Sequence, residues 1–569
     1  MTTLEHIKQE IAAHLAKAIG GDIKITAAEL VRPPNPEMGD LAFGCFPAAK
    51  ALKKSPAEIA KAAAAAFPKT EFVREAKAMG PYVNLTLDRP TFAAAVLREV
   101  ISMGAKYGQS PKKKERVMIE YAQPNTHKEV HVGHLRNLCL GLAVVNLTRA
   151  AGSEVVPVSY MGDIGAHVAK CLWCLKKFHA GEPMPENKGK YLGQIYAEAT
   201  RRVEEDESLK EEVAAVQRRL EAREPDWDEL WKETRRWSLD EFAAIFRELG
   251  VELERDYFES EVEEPGKKLV RDLVAKGIAE TGEKGALIVN LEKHDLGIFL
   301  VLKSDGSSLY STKELALAGL KFKEYPGISK SIHVVDSRQS LYFQQLFKTL
   351  ELMGFDKKMV HLAYEFVTLK EGAMSSRKGN IIAYEDFRDE VKARAKKETK
   401  ERRTDWSEER LDETAWTIAE GAMKFGMLRQ DPDKPIVFDI DSALAFEGFT
   451  GPYVQYAHAR LSSILRKATE AGEGGQLFDG AGDEREFTLL RAAADFPEIV
   501  ASAAEHCKPS VLAQYLFEFA QQSNDFYRDV PVLAAEPDDR ARRLAVVRAA
   551  RTVLACGLQL LGIRAPEEM

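Results

Sequence analysis

The sequence predicts a multidomain protein: a doubly wound α/β domain with a helical insertion, set between a small α+β unit and an all-α helical bundle. Three observations predict it. Two short apolar runs, RVMIEYA and EVVPVSYMGD, flank HVGHLRNLCLGLAVVNLTRAAG, whose apolar residues recur at helical spacing; strand, helix, strand is how a parallel sheet opens. Strand-like runs return at ALIVNL, IFLVL, SIHVVD and HLAYEFV, beyond a long charged stretch without strand signals. After about residue 385 such runs thin out, and helical patterns rich in Ala, Leu, Arg and Glu continue to Gly562.

Each unit has its own signals. Residues 1–105 open with an amphipathic helix, pass through the loop PPNPEMGDLAFG and the Ala-rich helix SPAEIAKAAAAAF, and end in the alternating strand PYVNLTL and a further helix. GQSPKKKE reads as a linker. Residues 106–385 form the Rossmann-like domain, with the insertion at about 168–260 dividing its sheet into two halves. Residues 386–450 are a helical stem, and 451–569 are the bundle, broken by the Gly-rich loop at 470–484. No internal repeat is present.

Composition narrows the class. Of 569 residues, 45% are hydrophobic and 30% charged, the balance of a soluble globular chain. No apolar run is long enough to cross a bilayer, and the N-terminus lacks the basic start and cleavage site of a secretory signal, so a cytoplasmic location is expected. The six cysteines are scattered and suggest no disulfide framework. Cys171 and Cys174 have C-x-x-C spacing, with His167 one turn earlier, but no fourth ligand is placed. Their segment, AHVAKCLWCLKKF, is apolar at helical spacing, so buried thiols and no structural metal are expected. A net charge of −8 excludes a chain coated in basic residues and leaves local patches. Two are Lys112–Lys114 and the late helix with Arg540, Arg542, Arg543, Arg548 and Arg551, each of which reads first as a solvated face.

The segment YAQPNTHKEVHVGHLRN joins the end of a strand to the start of a helix. Free backbone N–H groups and the helix dipole attract phosphate there. Gly133 permits close approach to the backbone, and His131 and His134 are placed to donate hydrogen bonds to a phosphorus centre gaining charge. Lys128, Arg136 and His127 add positive charge nearby. The plain alternative is that the two histidines only cap the helix. A second signal, Gly372-Ala373-Met374-Ser375-Ser376-Arg377-Lys378-Gly379-Asn380, follows a late strand and suits a cover over a departing pyrophosphate. The plain alternative there is a polar turn. The two motifs together are more specific than either alone.

These residues resemble the class I aminoacyl-tRNA synthetases, whose signatures are HIGH and KMSKS, and most closely the arginyl-tRNA synthetases. NPEMGDLAFG, EYAQPNTHKEVHVGHLRN, LYSTKELA, VVDSRQSLYFQQLF, MSSRKGN and GPYVQYAHARLSSILRK follow in that family's order, and LLGIRAPEEM is similar to its C-terminus. The resemblance implies an arginine–tRNA ligase using ATP as substrate with Mg²⁺, whose partners are L-arginine and tRNA(Arg), acting as a monomer without membrane attachment or an obligatory protein partner. It implies that activation requires bound tRNA. It assigns ATP to His131, Gly133, His134, Met374, Ser375, Ser376 and Lys378, and catalysis to His131, His134, Lys128 and Lys378.

Arginine falls to Glu120, Asn125, His131, Tyr310, Glu314 and Gln339. A guanidinium carries five donors in a fixed fork and needs carboxylate or amide oxygens to match; Tyr310 and Glu314, four apart, share one helix face. The chain departs from the family twice. Residue 314 is Glu where Asp is expected, reaching one methylene further. The second lysine of KMSKS falls on Ser376, so either Lys128, just before HVGH, or the displaced Lys378 contacts the leaving phosphates, and the family favours Lys128. Tyr453, Gln455, Tyr456 and Arg460 are candidates for tRNA contact, although aromatics at helical spacing are also what a core would show. Rival readings are a synthetase for lysine or cysteine, a silent RNA-binding paralogue, and a small nucleotidyltransferase, which would not need the last helical domain.

Overall fold

In a computed structural model of the chain, the structure describes residues 2–20, 22–370, 382–472 and 482–569. At its centre is a five-stranded parallel sheet. The strands are β1 (Arg116–Glu120), β2 (Glu154–Met161), β3 (Arg255–Phe258), β4 (Lys330–Asp336) and β5 (Lys358–Tyr364), in the spatial order β5-β4-β1-β2-β3. Burial on both faces makes β1, β2 and β4 nearly continuous apolar runs, as the sequence shows them. Helix α1 (Val132–Ala150) links β1 to β2 and is buried almost all round. It lies between the sheet and the helices Glu408–Leu428 and Glu484–Glu505, so no polar face is required of it.

The insertion consists of α2 (Ala166–Phe178), α3 (Lys188–Glu205), α4 (Leu209–Glu221) and α5 (Pro225–Glu248), with a separate core that includes Leu172, Trp173, Leu192, Trp227 and Trp231. Helices α6 (Glu259–Ala275) and α7 (Tyr310–Glu324) follow β3 and pack together.

The sheet differs from expectation in two ways. ALIVNL and IFLVL are strands, but Leu287–Asn290 pairs antiparallel with Ile298–Leu302 on one side and Glu280–Thr281 on the other, in a small separate sheet. Strand β3 was not expected; it is an edge strand of four residues beginning Arg255-Asp256, too short and polar to produce a strand pattern. The N-terminal unit holds a four-stranded antiparallel sheet in which Leu41–Gly44 arises from the segment read as a loop. Val73–Met79, unexpected as well, is an edge strand whose side chains are mostly exposed. This unit packs on the C-terminal helices: Lys8 Nζ lies 2.7 Å from Glu498, and the Phe92 ring meets the Phe487 ring edge-on. Among the described residues, no helix is long and apolar enough to cross a membrane.

Candidate active site

The C-terminal ends of β1, β2 and β4 open into a cavity of about 870 Å³, lined by residues of β1, α1, β2, α6 and α7. Such a crevice at the carboxyl ends of parallel strands is where doubly wound domains hold ligands.

Its entry is shaped by the turn after β1. Ala122 and His127 have left-handed backbone angles, φ 60° and 62°, and both conformations are fixed by hydrogen bonds. Asn137 in α1 accepts from the Ala122 N–H at 2.7 Å and donates to the Val334 carbonyl at 2.8 Å, joining the turn to β4. His127 is fully buried; its N–H donates to Ser238 at 2.9 Å, and its ring bonds Thr126 and Thr234. Burial pushes His127 down to about 3, so it is neutral and adds no charge to the site, contrary to expectation. Arg136 is likewise committed, to the carbonyls of Phe366, Pro432 and Lys434.

The two histidines cap α1 reciprocally. The His131 N–H donates to His134 Nδ1 at 3.1 Å, the His134 N–H donates to His131 Nδ1 at 3.3 Å, and the rings stack 3.7 Å apart. Capping therefore does occur, and it fixes the chemistry. With Nδ1 as acceptor, the proton of each neutral ring lies on Nε2, which has no hydrogen-bond partner among the described residues. Burial, then the nearby Lys128 charge, pushes His131 down to about 4; burial, then the neighbouring His131 and Lys128, holds His134 well below the usual imidazole range. The pair offers neutral N–H donors. Gly133 is required by the ring of His131: a Cβ there would stand 2.9 Å from His131 Cε1. Lys128 is half-buried, with its ammonium 5.0 Å from the Tyr196 ring centre.

Carboxylates converge at the other end. Glu120, 1% exposed, accepts from Gln123 at 2.9 Å and from the buried Lys321, whose ammonium burial pushes down to about 7. Glu314 and Glu259 are buried on facing helices. Lys313 pairs with Glu259, whereas Glu314 has no hydrogen bond or ion pair among the described residues. Burial, then the Glu259 charge, pushes Glu314 up to about 8. The buried Tyr160 hydroxyl in the same wall also lacks a partner among the described residues. An unpaired buried carboxyl beside an unpaired hydroxyl is a set of polar groups waiting for a ligand. Tyr310 is 63% exposed at the mouth, on the same cavity as Glu314, and Gln339 is exposed on the rim. Asn125 bridges to Gly162 at the end of β2, where a Cβ would fall 2.2 Å from Asn125 Oδ1, so only glycine permits this seat.

The structure thus brings Glu120, Asn125, His131, Gly133, His134, Tyr310, Glu314 and Gln339 into one cavity. Met374, Ser375, Ser376 and Lys378 lie outside the described residues. Glu259 and Tyr160 were missed in the sequence: Glu259 starts an unremarkable charged helix, and Tyr160 reads as strand core.

The tRNA candidates lie apart, on the helix Gly451–Glu470. Gln455 is corrected: it is fully buried and donates to the carbonyls of Thr417 and Arg564 at 3.0 and 2.9 Å, so it offers no surface to a partner. Tyr453 and Tyr456 are half-buried, and Arg460 bonds Asn524 and the Tyr456 hydroxyl. The late arginine patch is largely neutralised, because Arg542 and Arg543 bond the buried Glu486 and Arg551 bonds Glu567. All six cysteines are buried free thiols, and the grouping of His167 with both C-x-x-C sulfurs does not form, since Cys171 faces the Leu192 carbonyl.

Known proteins match the chain along its length. The family described as "tRNA synthetases class I (R), catalytic domain" matches residues 96–440, "Arginyl tRNA synthetase N terminal domain" matches 5–87, and "DALR anticodon binding domain" matches 454–569. The arginine–tRNA ligase of Bdellovibrio bacteriovorus is 41% identical, covering 95% of this chain and 94% of its own. The solved Thermus thermophilus arginyl-tRNA synthetase covers 100% of both chains at 31% identity, with a TM-score of 0.83. The Plasmodium falciparum arginyl-tRNA synthetase, at 18% identity, shares the fold over 100% of both chains with a TM-score of 0.80.

Proposed function

The chain belongs to the arginyl-tRNA synthetase family, ligases that use ATP to join L-arginine to tRNA, and from that premise we propose how its cavity divides the work. The reading rests chiefly on Glu314, a buried carboxyl beside Glu259 without a hydrogen-bonding or ion-paired partner among the described residues. A guanidinium supplies the missing charge and enough planar donors for both carboxylates and the Tyr160 hydroxyl. Tyr310 closes over its plane at the mouth. Asn125, Glu120 and Gln339 hold the amino-acid end, which turns the arginine carboxylate toward the His131–His134 end.

ATP lies with its phosphates at the start of α1. The Nε2–H groups of His131 and His134 donate to its oxygens; Lys128, whose ammonium rests over Tyr196 outside the cavity lining, would have to swing in to meet the leaving phosphates. The arginine carboxylate oxygen attacks the α-phosphorus in line, pyrophosphate leaves with the bridging electrons, and arginyl-adenylate forms. A ribose hydroxyl at the tRNA 3′ end then attacks the acyl carbon, loses its proton, and expels AMP. Mg²⁺, if it takes part, would offset phosphate charge. The cavity carboxylates Glu120, Glu259 and Asp336 are committed to Lys321, Lys313 and Arg338, so the described residues offer no preformed oxygen cage, and phosphate oxygens would hold the ion. Met374, Ser375, Ser376 and Lys378 would cover the leaving phosphates. Tyr453, Tyr456 and Arg460 are our candidates for tRNA contact, and we expect a cytoplasmic monomer.

Pyrophosphate exchange tests the reading. ATP exchange should require arginine among the amino acids and tRNA as co-ligand. Exchange supported by another amino acid, or tight tRNA binding with no exchange at all, would overturn it.

A further inference from the structure

The helical insertion carries a second group of chemically active side chains, which aminoacylation does not use. Cys174 lies in α2, His179 is the residue on which α2 ends, and Glu198 lies in α3. One ligand atom from each, a sulfur, an imidazole nitrogen and a carboxylate oxygen, falls within 4.8 Å of the other two.

Hydrogen bonds hold the imidazole and the carboxylate in place. His179 Nε2 stands 3.1 Å from Glu198 Oε2, while its Nδ1 stands 2.8 Å from Glu182 Oε2. Glu182 is itself steadied by the Tyr191 hydroxyl, which donates to it at 3.2 Å. The other oxygen of Glu198 accepts from Arg202 Nε at 2.7 Å, and that guanidinium rests 4.1 Å from the Phe178 ring centre. Oε2 is thereby left for His179 and Cys174. A histidine with one nitrogen toward ligands and the other on a carboxylate is how metal-binding imidazoles are oriented. Thiolate plus imidazole plus one carboxylate suits zinc-class ions and disfavours Mg²⁺ or Ca²⁺. The C-x-x-C motif contributes Cys174 alone.

We propose that Cys174, His179 and Glu198 bind one zinc-class divalent ion per chain, which ties the end of α2 to α3 and stabilises the insertion. Burial pushes the Cys174 thiol up to about 11, so in the metal-free chain the sulfur carries its proton. The ion forms its bond to sulfur as the S–H proton leaves to solvent, takes the Nε2 lone pair of His179 and an oxygen of Glu198, and completes four-coordination with water. The competing description is a protonated His179 held between two carboxylates, with Cys174 as an ordinary core thiol.

Cobalt titration of the full-length chain, reduced and stripped with chelator, separates the two. One equivalent of Co²⁺ should bind, with near-ultraviolet thiolate-to-cobalt absorption and the visible bands of a tetrahedral site. Both should persist in Cys171→Ser and vanish in Cys174→Ser. Glu198→Gln should weaken binding at least tenfold, and Zn²⁺ should raise the thermal midpoint of the unsubstituted chain but not of Cys174→Ser. Arginylation rates within about twofold of normal would show that the variants fold, since none of these residues lines the cavity. Absence of the thiolate band at stoichiometric cobalt, or its survival in Cys174→Ser, would overturn the proposal.

Discussion

Glu314 enters the empty cavity as an acid, because burial and the Glu259 charge hold its proton up to about 8. On the proposed assignment a guanidinium recognises the carboxylate, so arginine must expel that proton on binding. Arginine affinity should therefore rise by about tenfold per pH unit from 6 toward 8 and level off above it. The slope does not come from His131, held down to about 4, or from His134, which burial holds well below the usual imidazole range. Calorimetry in buffers of different ionisation enthalpy reads the released proton directly, and a heat independent of buffer would remove Glu314 from the arginine contact. The effect on stability has the opposite sign. A carboxyl raised by folding favours the protonated form, so its stabilising contribution is full below its unfolded value and is lost as pH climbs through about 8. Replacement by Gln should raise the arginine KM at least about 30-fold, the equivalent of roughly 2 kcal/mol for losing one member of a buried charge pair, with little change in the ATP KM.

At the scale of elements, the strand ends and the β1–α1 turn decide the geometry. Gly162→Ala places a Cβ against Asn125 Oδ1, and a displacement of about 1 Å at a substrate-holding group costs about 10²-fold in kcat/KM. Steady-state kinetics on arginine would show the loss; unchanged kinetics would mean that Asn125 holds nothing. Asn137→Ala leaves the Ala122 N–H and Val334 carbonyl unsatisfied in a buried joint, at a cost of about 1–3 kcal/mol in a denaturant titration. The same elements show what the sequence made legible. β1, α1 and β2 were read correctly because burial on both sides writes long apolar runs. β3 escaped because four edge residues carry no period, and the hairpin at 287–302 was placed in the wrong sheet because an apolar run does not name its partner.

The same limit governs the site. HVGH, Tyr310 and Glu314 could be found because local motifs bring them; Glu259 and Tyr160 reach the cavity only through tertiary packing, from a helix start and a strand end without motif. Gln455 misled because a buried amide tying three segments looks, in sequence, like a polar contact on an aromatic helix.

For the whole molecule, one apolar core runs through the N-terminal unit, the central domain and the C-terminal helices, and a buried polar joint is set within it. Lys424, 2% exposed, donates to the Leu249 carbonyl at 2.8 Å, to Glu420 at 2.6 Å and to the Gly562 carbonyl at 2.6 Å, linking the insertion's end, the stem and the C-terminal segment. Lys424→Ala should cost about 3–5 kcal/mol of stability, read by urea unfolding, because three acceptors lose their donor together. Net charge −8 leaves tRNA to local basic surface. The logarithm of its binding constant should fall linearly with the logarithm of salt concentration, and a flat dependence would contradict recognition through phosphates.

The division of the cavity between a guanidinium end and a phosphate end is tested most directly by tRNA-dependent pyrophosphate exchange with arginine and with citrulline, its uncharged counterpart. The unsubstituted chain should use arginine and reject citrulline. In Glu314→Gln the preference should shrink at least about 30-fold while the ATP KM stays within about twofold. A Glu314→Gln chain that kept the full preference for arginine over citrulline would show that this carboxylate does not choose the amino acid.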